Sequence, residues 1–293
     1  MKPAPFAYVR PATLQDTIAE LAAAGEDGKI LAGGQSLLPL LAMRLSRPGT
    51  LVDINAVPGL DGIELRQGML RIGATVTQRQ IERDTRAATV PLLGLALPFV
   101  GHRELRSRGT VCGSLAHADP GAELPAVASC LGATLEIAGP AGRRTVPAAE
   151  FFVGVMTTTV GPEEIVVAVN FPVAGTGEGF GFAEIARRHG DFALAGVVTR
   201  VRSAQGQVLD ATITGFGVSD RPITRDVTGF VASAAEQTDS AGALRAGTDA
   251  LAAEVVDTVG DGHGSRAYRR RLFAVLAARE LARALRGSRG VES

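Results

Sequence analysis

Thiols are scarce in this chain: its 293 residues include two cysteines, Cys112 and Cys130, and no Cys-x-x-Cys pair. A disulfide framework and a four-thiolate iron–sulfur cluster built from this chain alone are both excluded. His102, His117, His189 and His263 are too scattered for a clustered zinc site. Of the 30 basic residues only Lys2 and Lys29 are lysines, and neither follows a Gly-x-x-x-x-Gly spacing, so there is no P-loop. Neither sign of charge is in excess, since 30 acidic residues balance the 30 basic ones. Nucleic-acid binding, which draws its affinity from phosphate neutralisation, is not indicated. Long apolar runs are missing too: the segment 87–101 is broken by Pro91 and Pro98 and falls short of the ~20 residues that span a bilayer. Residues 1–16 lack an apolar stretch behind a basic start, so no signal peptide is expected and the expected location is cytoplasmic.

Apolar residues make up 46% of the chain and charged ones 20%, a globular composition. At roughly 100–200 residues per domain, the length suggests two domains. The first holds most of the pattern. An apolar run at 29–32 ends in Gly33 and Gly34, and Ser36 precedes Leu37, Leu40 and Leu41, which reads as strand, glycine turn and a short helix capped by Ser36. A buried strand is expected at 51–55. Gln67-Gly68 between 63–66 and 69–72 reads as a two-residue hairpin, and Thr77 with Gln80 as a capping box opening a helix to about Thr85. Pro91 to Val100 reads as a buried helix. A second glycine turn at 109–114 leads into a polar loop and then a helix over 122–131, closed by Gly132. Strands are expected at 134–137, 143–146 and 164–171.

The glycine-rich stretch 172–181 marks the expected boundary, giving domains 1–175 and 176–287 and a tail 288–293. Three strands are expected beyond it (181–185, 197–202, 208–216). A helix near 232–259, broken by Gly242 and Gly247, should follow. Another should run over 265–286, with Ser265 as cap and Gly287 as stop. The expected class is α+β, with a three-stranded antiparallel sheet in the second domain. Arg103, Arg106 and Arg108 alternate as one solvated strand face would, and Arg269, Arg270 and Arg271 read as solvated or subunit-contacting.

Two segments could carry chemistry. Ala32, Gly33, Gly34, Gln35 and Ser36 let backbone approach a ligand, and free N–H groups before a helix favour phosphate; a plain tight turn is the alternative. Thr110, Val111, Cys112, Gly113 and Ser114 begin a run of small and hydroxyl residues that ends at Asp119-Pro120. Its hydroxyls and amides can donate to a pyrophosphate, and Asp119 or Glu123 can accept from ribose or ribityl hydroxyls. A capped loop before the next helix is the alternative. Two phosphate-type loops in one domain favour a dinucleotide lying across both. Cys112 reads as a small buried residue rather than a redox thiol. The glycines at 175–181 lead into a strand and those at 260–264 have no strand before them, so neither is a Rossmann fingerprint.

Together these segments resemble the medium, FAD-binding subunit of the molybdenum hydroxylases, the xanthine dehydrogenase and carbon monoxide dehydrogenase family. The resemblance rests on Ala32 to Ser36 with Leu37, Leu38, Pro39 and Leu40, and on Leu51 to Asn55. It rests equally on Gly109 to Pro120 and on Arg187 to Ala195. It implies a two-subdomain FAD-binding domain of the vanillyl-alcohol-oxidase (PCMH) type and the family's flavoprotein C-terminal domain. By the family's pattern residues 32–36 and 110–114 wrap the pyrophosphate. Glu123 matches an acidic FAD contact, Asp119 belongs to the same loop, and Val166 matches a backbone contact. Phe192 lies where many members carry Tyr beside the isoalloxazine, Ala183 where xanthine dehydrogenases have Lys, and Cys112 where many members have Gly. Because Cys tolerates positive φ poorly, a left-handed backbone is not expected at 112.

The resemblance further implies an oxidoreductase subunit that passes electrons from [2Fe–2S] clusters on a small partner subunit, through FAD, to an external acceptor. The molybdenum cofactor would sit on a large partner subunit, in a dimer of heterotrimers. A self-contained FAD oxidase or reductase of the same fold is the alternative, and a nucleotide-binding scaffold a further one. With no nicotinamide fingerprint, a quinone, cytochrome, dioxygen or dye is the expected acceptor rather than NAD.

Overall fold

The structure, a computed structural model, describes residues 2–237 and 239–290. The first layer is a parallel three-stranded sheet. Its elements in chain order are β1 (Ala7–Val9), α1 (Leu14–Ala24), β2 (Gly28–Leu31), α2 (Leu37–Ala42) and β3 (Thr50–Asp53), with β3 between β1 and β2. The sequence reading places nothing before residue 28, yet Thr13 caps α1, its hydroxyl accepting from Asp16 N at 3.0 Å. Ser36 does not cap α2: its backbone is already helical and its side chain makes no cap bond, while Leu38 N donates to Gly34 O at 2.9 Å.

The second layer runs β4 (Ile63–Arg66), β5 (Met69–Gly73), α3 (Gln78–Arg83), α4 (Pro91–Ala96), α5 (Arg103–Arg106), α6 (Val111–His117) and α7 (Glu123–Leu131). It continues with β6 (Thr134–Gly139), β7 (Gly142–Pro147), α8 (Ala148–Phe151), β8 (Phe152–Gly154), β9 (Thr157–Thr158) and β10 (Ile165–Pro172). Its antiparallel sheet has the order β4-β5-β10-β6-β7. Positive φ at Gln67 and Gly68 (51° and 72°) forms the hairpin, and the Thr77–Gln80 capping box is present. Gly132 closes α7 at φ 64°. The arginines at 103 and 106 are on a helix, with Arg108 in the turn after it, and none is on a strand: Arg106 is buried, paired with Glu82 at 2.8 Å, and donates to Val100 O and Gly101 O.

The last layer comprises β11 (Glu178–Ile185), β12 (Ala195–Ala204), β13 (Gln207–Phe216), β14 (Ile223–Asp226), α9 (Thr228–Ala235), α10 (Ser240–Val255), β15 (Gly260–Asp261), β16 (Gly264–Ser265) and α11 (Arg266–Ser288). The sheet β11-β12-β13-β14 has four strands, not three, because Ile223–Asp226 adds to β13. One face meets the core of the preceding layer through Phe182, Val198 and Phe216, and α11 covers the other. Covering is close. A Cβ at Gly179 or Gly181 would collide with α11 backbone, and Thr199 Oγ1 donates to Glu280 O across 81 positions of sequence.

Gly242 and Gly247 lie inside α10 without breaking it. Asp239 caps Gly242 N at 2.9 Å, and at Gly247 the missing side chain makes room for the Phe230 ring. Gly287 does not stop α11, which runs through Ser288, one residue into the expected tail; a Cβ at Gly287 would lie 3.4 Å from Gly179 Cα. Residues 291–293 of that tail lie outside the described residues. Arg269 is not solvated: with its side chain 7% exposed, it donates to Leu194 O and Gly217 O at 2.7 Å and to Asp261 at 2.6 Å. Arg270 is half-buried and Arg271 exposed.

Candidate functional site

The two glycine turns, far apart in sequence, touch. A Cβ on Gly33 would strike the Arg108 carbonyl and lie 2.9 Å from Gly109 Cα, so only glycine lets the loops meet. Asn55, at the end of β3, ties the first loop down by donating to Ala32 O at 3.0 Å. Gly34 has φ 73°. Among the described residues, the backbone N–H groups of Gly33, Gly34, Gln35 and Ser36 have no hydrogen-bond partner. They border a cleft of about 910 Å³, at the large end of the roughly 300–1,000 Å³ typical of ligand sites.

The expected loop after Thr110 is a helix. Thr110 is the N-cap of α6, its hydroxyl accepting from Gly113 N at 3.0 Å, and Cys112 is helical as its side chain requires. This winding splits the run of candidates. Thr110, Gly113 and Ser114 line the cleft, whereas the Val111 and Cys112 side chains, 0% and 2% exposed, point into the core. Burial pushes the Cys112 thiol up to about 12, which excludes a thiolate nucleophile. Ala118, left-handed at φ 51°, ends α6 and accepts from Met156 N. Asp119 then holds a turn by accepting from Gly121 N at 2.8 Å.

Glu123, first residue of α7, lines the cleft at 4% exposure. Burial, opposed by a hydrogen bond from its own backbone and by Arg106 and helped by the Asp119 charge, raises its carboxyl to about 7. His117, also in the wall, is held below its ordinary value by burial. Phe192 reaches the cleft from the opposite side at 57% exposure, on a segment whose Ala193 N donates to Gly121 O.

Of the sequence candidates, Ala32 to Ser36, Thr110, Gly113, Ser114, Asp119, Glu123 and Phe192 share this one cleft. Val166 does not: it is buried in β10, within the core. Ala183 faces the core under α11. Sequence reasoning misses Gln78, Lys29 and the 156–158 segment, which also line the cleft. Gln78 follows the Thr77 cap and was within reach. Residues 156–158 arrive through the Met156–Ala118 pairing, and no local pattern announces that.

The wall fits an extended, anionic dinucleotide. Unpaired amides and the Ser114 hydroxyl supply donors, Lys29 a cation, and Leu37, Leu40, Val160 and Phe192 an apolar lining. A fold and cleft of this kind define a flavoprotein. The family described as FAD binding domain in molybdopterin dehydrogenase matches residues 4–174, and the CO dehydrogenase flavoprotein C-terminal domain matches residues 180–284. The chain belongs to the FAD-binding medium subunits of the molybdopterin dehydrogenases, and is thus an oxidoreductase subunit.

It is 38% identical to the 6-hydroxypseudooxynicotine dehydrogenase complex subunit alpha of Paenarthrobacter nicotinovorans, over 99% of this chain and 97% of that one. It is 33% identical to the carbon monoxide dehydrogenase medium chain of Afipia carboxidovorans, over 97% and 98% of the two chains. Quinoline 2-oxidoreductase from Pseudomonas putida 86 superposes with TM-score 0.90 at 36% identity, covering 98% of this chain and 99% of that one. Among the described residues no helix is long and apolar enough to cross a membrane.

Proposed function

We propose that the chain is the electron-transfer subunit of a molybdenum-containing hydroxylase or dehydrogenase. It takes electrons from [2Fe–2S] clusters of a small partner subunit and delivers them through FAD to an external acceptor. The observation that carries the reading is the meeting of two glycine loops over a cleft whose amides have no partner in the chain. Bound FAD supplies the redox chemistry; the protein supplies binding, orientation and electrostatics.

The amides of 33–36 and the Ser114 hydroxyl hold the pyrophosphate. Val111 and Cys112 contribute backbone only, since their side chains are in the core. Glu123 and Asp119 accept from hydroxyls of the cofactor chain, and at neutral pH a carboxyl near 7 can also donate. Phe192 packs against the isoalloxazine without a phenol hydroxyl. Residues 1–175 form the PCMH-type FAD unit and 176–287 the C-terminal unit. Partners are an iron–sulfur small subunit and a molybdenum-cofactor large subunit in a cytoplasmic dimer of heterotrimers, and the acceptor is not NAD.

Two thiols, both buried and free, leave the clusters to a partner. The test is cofactor analysis of the chain alone and of its co-purified complex. FAD in both, with iron and molybdenum only in the complex, supports the reading. FMN as the released flavin, or turnover of a small substrate by the chain alone, refutes it, the latter in favour of a self-contained oxidase.

A further inference from the structure

Behind the cofactor cleft lies a second cavity, of about 530 Å³, where the free edge of β11 meets α11. Its floor is aromatic: Phe99 and Phe182 stand 5.2 Å apart, centroid to centroid. Its rim is Arg279, Arg283 and Arg286, one turn apart along α11. Arg279 and Arg283 lean on the buried Glu280, at 2.8 and 3.8 Å, but keep side chains 63% and 54% exposed. Among the described residues Arg286 has no ion pair. Glu184 lies in the wall with its Oε2 buried and without a hydrogen-bond partner. A buried polar atom left unpaired is costly, so a group from outside the chain is expected to meet it.

The charge around this cavity is one-sided. α11 carries seven arginines and a single acid, Glu280, which is turned inward, while the whole chain is neutral. At the end of the helix that rims the cavity, residues 279–286, three arginines are exposed and the one acid, Glu280, is buried. A flat basic face suits a membrane or a polyanion; a concave one with an aromatic floor suits a side chain with a carboxylate tip and apolar neighbours.

We propose that this cavity receives an acidic segment of a partner subunit. A carboxylate of that segment pairs with Arg283 and Arg286, a neighbouring apolar residue covers Phe99 and Phe182, and a polar group satisfies Glu184 Oε2. The inference rests on the multi-subunit reading above. It adds where the chain is gripped, at the edge of β11 beside α11. A carboxylate is the occupant because exposed guanidiniums rim the cavity, while of its two acids Glu280 is buried against Arg279 and Arg283 and, among the described residues, no ion pair is made by Glu184. Burial, and then the Glu123 charge, raise its carboxyl to about 8, so it is a neutral hydroxyl donor at pH 7 and leaves the three arginines to set the sign of the cavity.

The test uses the FAD-loaded chain and its co-expressed partner subunits. Charge reversal at Arg283→Glu with Arg286→Glu removes two exposed cations, and Arg245→Glu, on the exposed face of α10, is the control. FAD content should match wild type in every variant; melting temperature should match in the Arg245 variant and fall by a few degrees in the double variant, which loses the Arg283–Glu280 pair. The double variant should bind its partners at least about tenfold more weakly, with a shallower salt dependence, whereas the Arg245 variant binds as wild type. Equal affinity of the double variant and wild type overturns this inference and leaves the functional reading standing. Failure of the wild-type chain to form any complex overturns both. Loss of binding to anionic phospholipid vesicles, with partner affinity unchanged, also overturns it, in favour of a lipid surface.

Discussion

Gly33→Ala tests the meeting of the two loops. The new Cβ would run into the Arg108 carbonyl and approach its carbon to 2.8 Å and Gly109 Cα to 2.9 Å. Carbon contacts relax near 3.5–4.0 Å, so the loops must part by roughly 1 Å. Both colliding groups are backbone and cannot rotate away, which puts the cost at the upper end of the ~1–3 kcal/mol typical of overpacking. At roughly 2–4 °C per kcal/mol for chains of 150–250 residues, the melting temperature of the apo chain should fall by about 4–12 °C. FAD affinity should fall independently. Losing one amide to a charged acceptor costs about 1.5–3 kcal/mol, or about 10–150-fold in Kd. FAD titration followed by flavin fluorescence, with thermal melts at zero and saturating FAD, separates the two effects. Gly94→Ala is the matched control: it is an exposed helical site with open space around it, where alanine should stabilise by about 1 kcal/mol or less. A Gly33→Ala chain that keeps wild-type melting and wild-type Kd would refute the reasoning.

Three further substitutions probe the walls of the site. Glu123 is protonated in the fold up to about 7 but ionises near 4.5 when unfolded, so stability falls as pH rises from about 4.5 to 7 and then levels off. Glu123→Gln should flatten that fall, by at most about 2–3 kcal/mol in urea unfolding between pH 5 and 8; parallel curves for variant and wild type would contradict the assignment. Arg106→Ala leaves Glu82 with Arg79 as its one remaining partner at 2.8 Å and strands two carbonyls, and should cost about 1–3 kcal/mol, part of which Glu82→Ala recovers in the double variant; a loss under about 0.5 kcal/mol would show the pair to be idle. Phe192→Ala removes an exposed ring, so melting should change by under about 0.5 kcal/mol equivalent while the flavin absorption envelope shifts. An unaltered spectrum and FAD affinity would place the isoalloxazine elsewhere.

Where structure is decided within a few residues, it is legible in the sequence. The Gln67-Gly68 hairpin, the Thr77–Gln80 box and the Gly132 stop each follow from local backbone chemistry. Thr13-x-x-Asp16 before Leu14, Ile18 and Leu21 carries the same kind of signal for α1, and a reading drawn to the glycine turns passes over it. The 110–117 segment is different. Its small residues have weak intrinsic preference, and Val111 and Leu115, one turn apart and both buried, settle it as a helix through tertiary packing. The arginines at 103, 106 and 108 are spaced by three and then by two, which fixes no face, and one turn of helix over 103–106 turns Arg106 alone inward. Three consecutive arginines at 269–271 likewise do not say which is buried; the phase of Phe273 and Leu276 on α11 does. The cleft itself is legible as two loops, and their contact at Gly33 and Arg108 is not.

The near-bare backbone of Gly179 and Gly181 beneath α11 bears on how the protein is made. The strand face that receives α11 is finished early in translation, while the helix that covers it lies far downstream, 81 positions separating Thr199 from the Glu280 carbonyl it binds. At roughly 5–20 residues per second, ribosomes need about 4–16 s to cross that distance. Throughout that interval Ala183, Val197 and Val201 lack their helical cover in a sheet where β11, paired with β12 on one side, has a free outer edge. A strand studded with glycines offers a poor template for a stray neighbour, because it gives an incoming side chain little to pack on. The same glycines that let the helix lie flush in the finished protein therefore shield the nascent sheet from wrong partners while it waits.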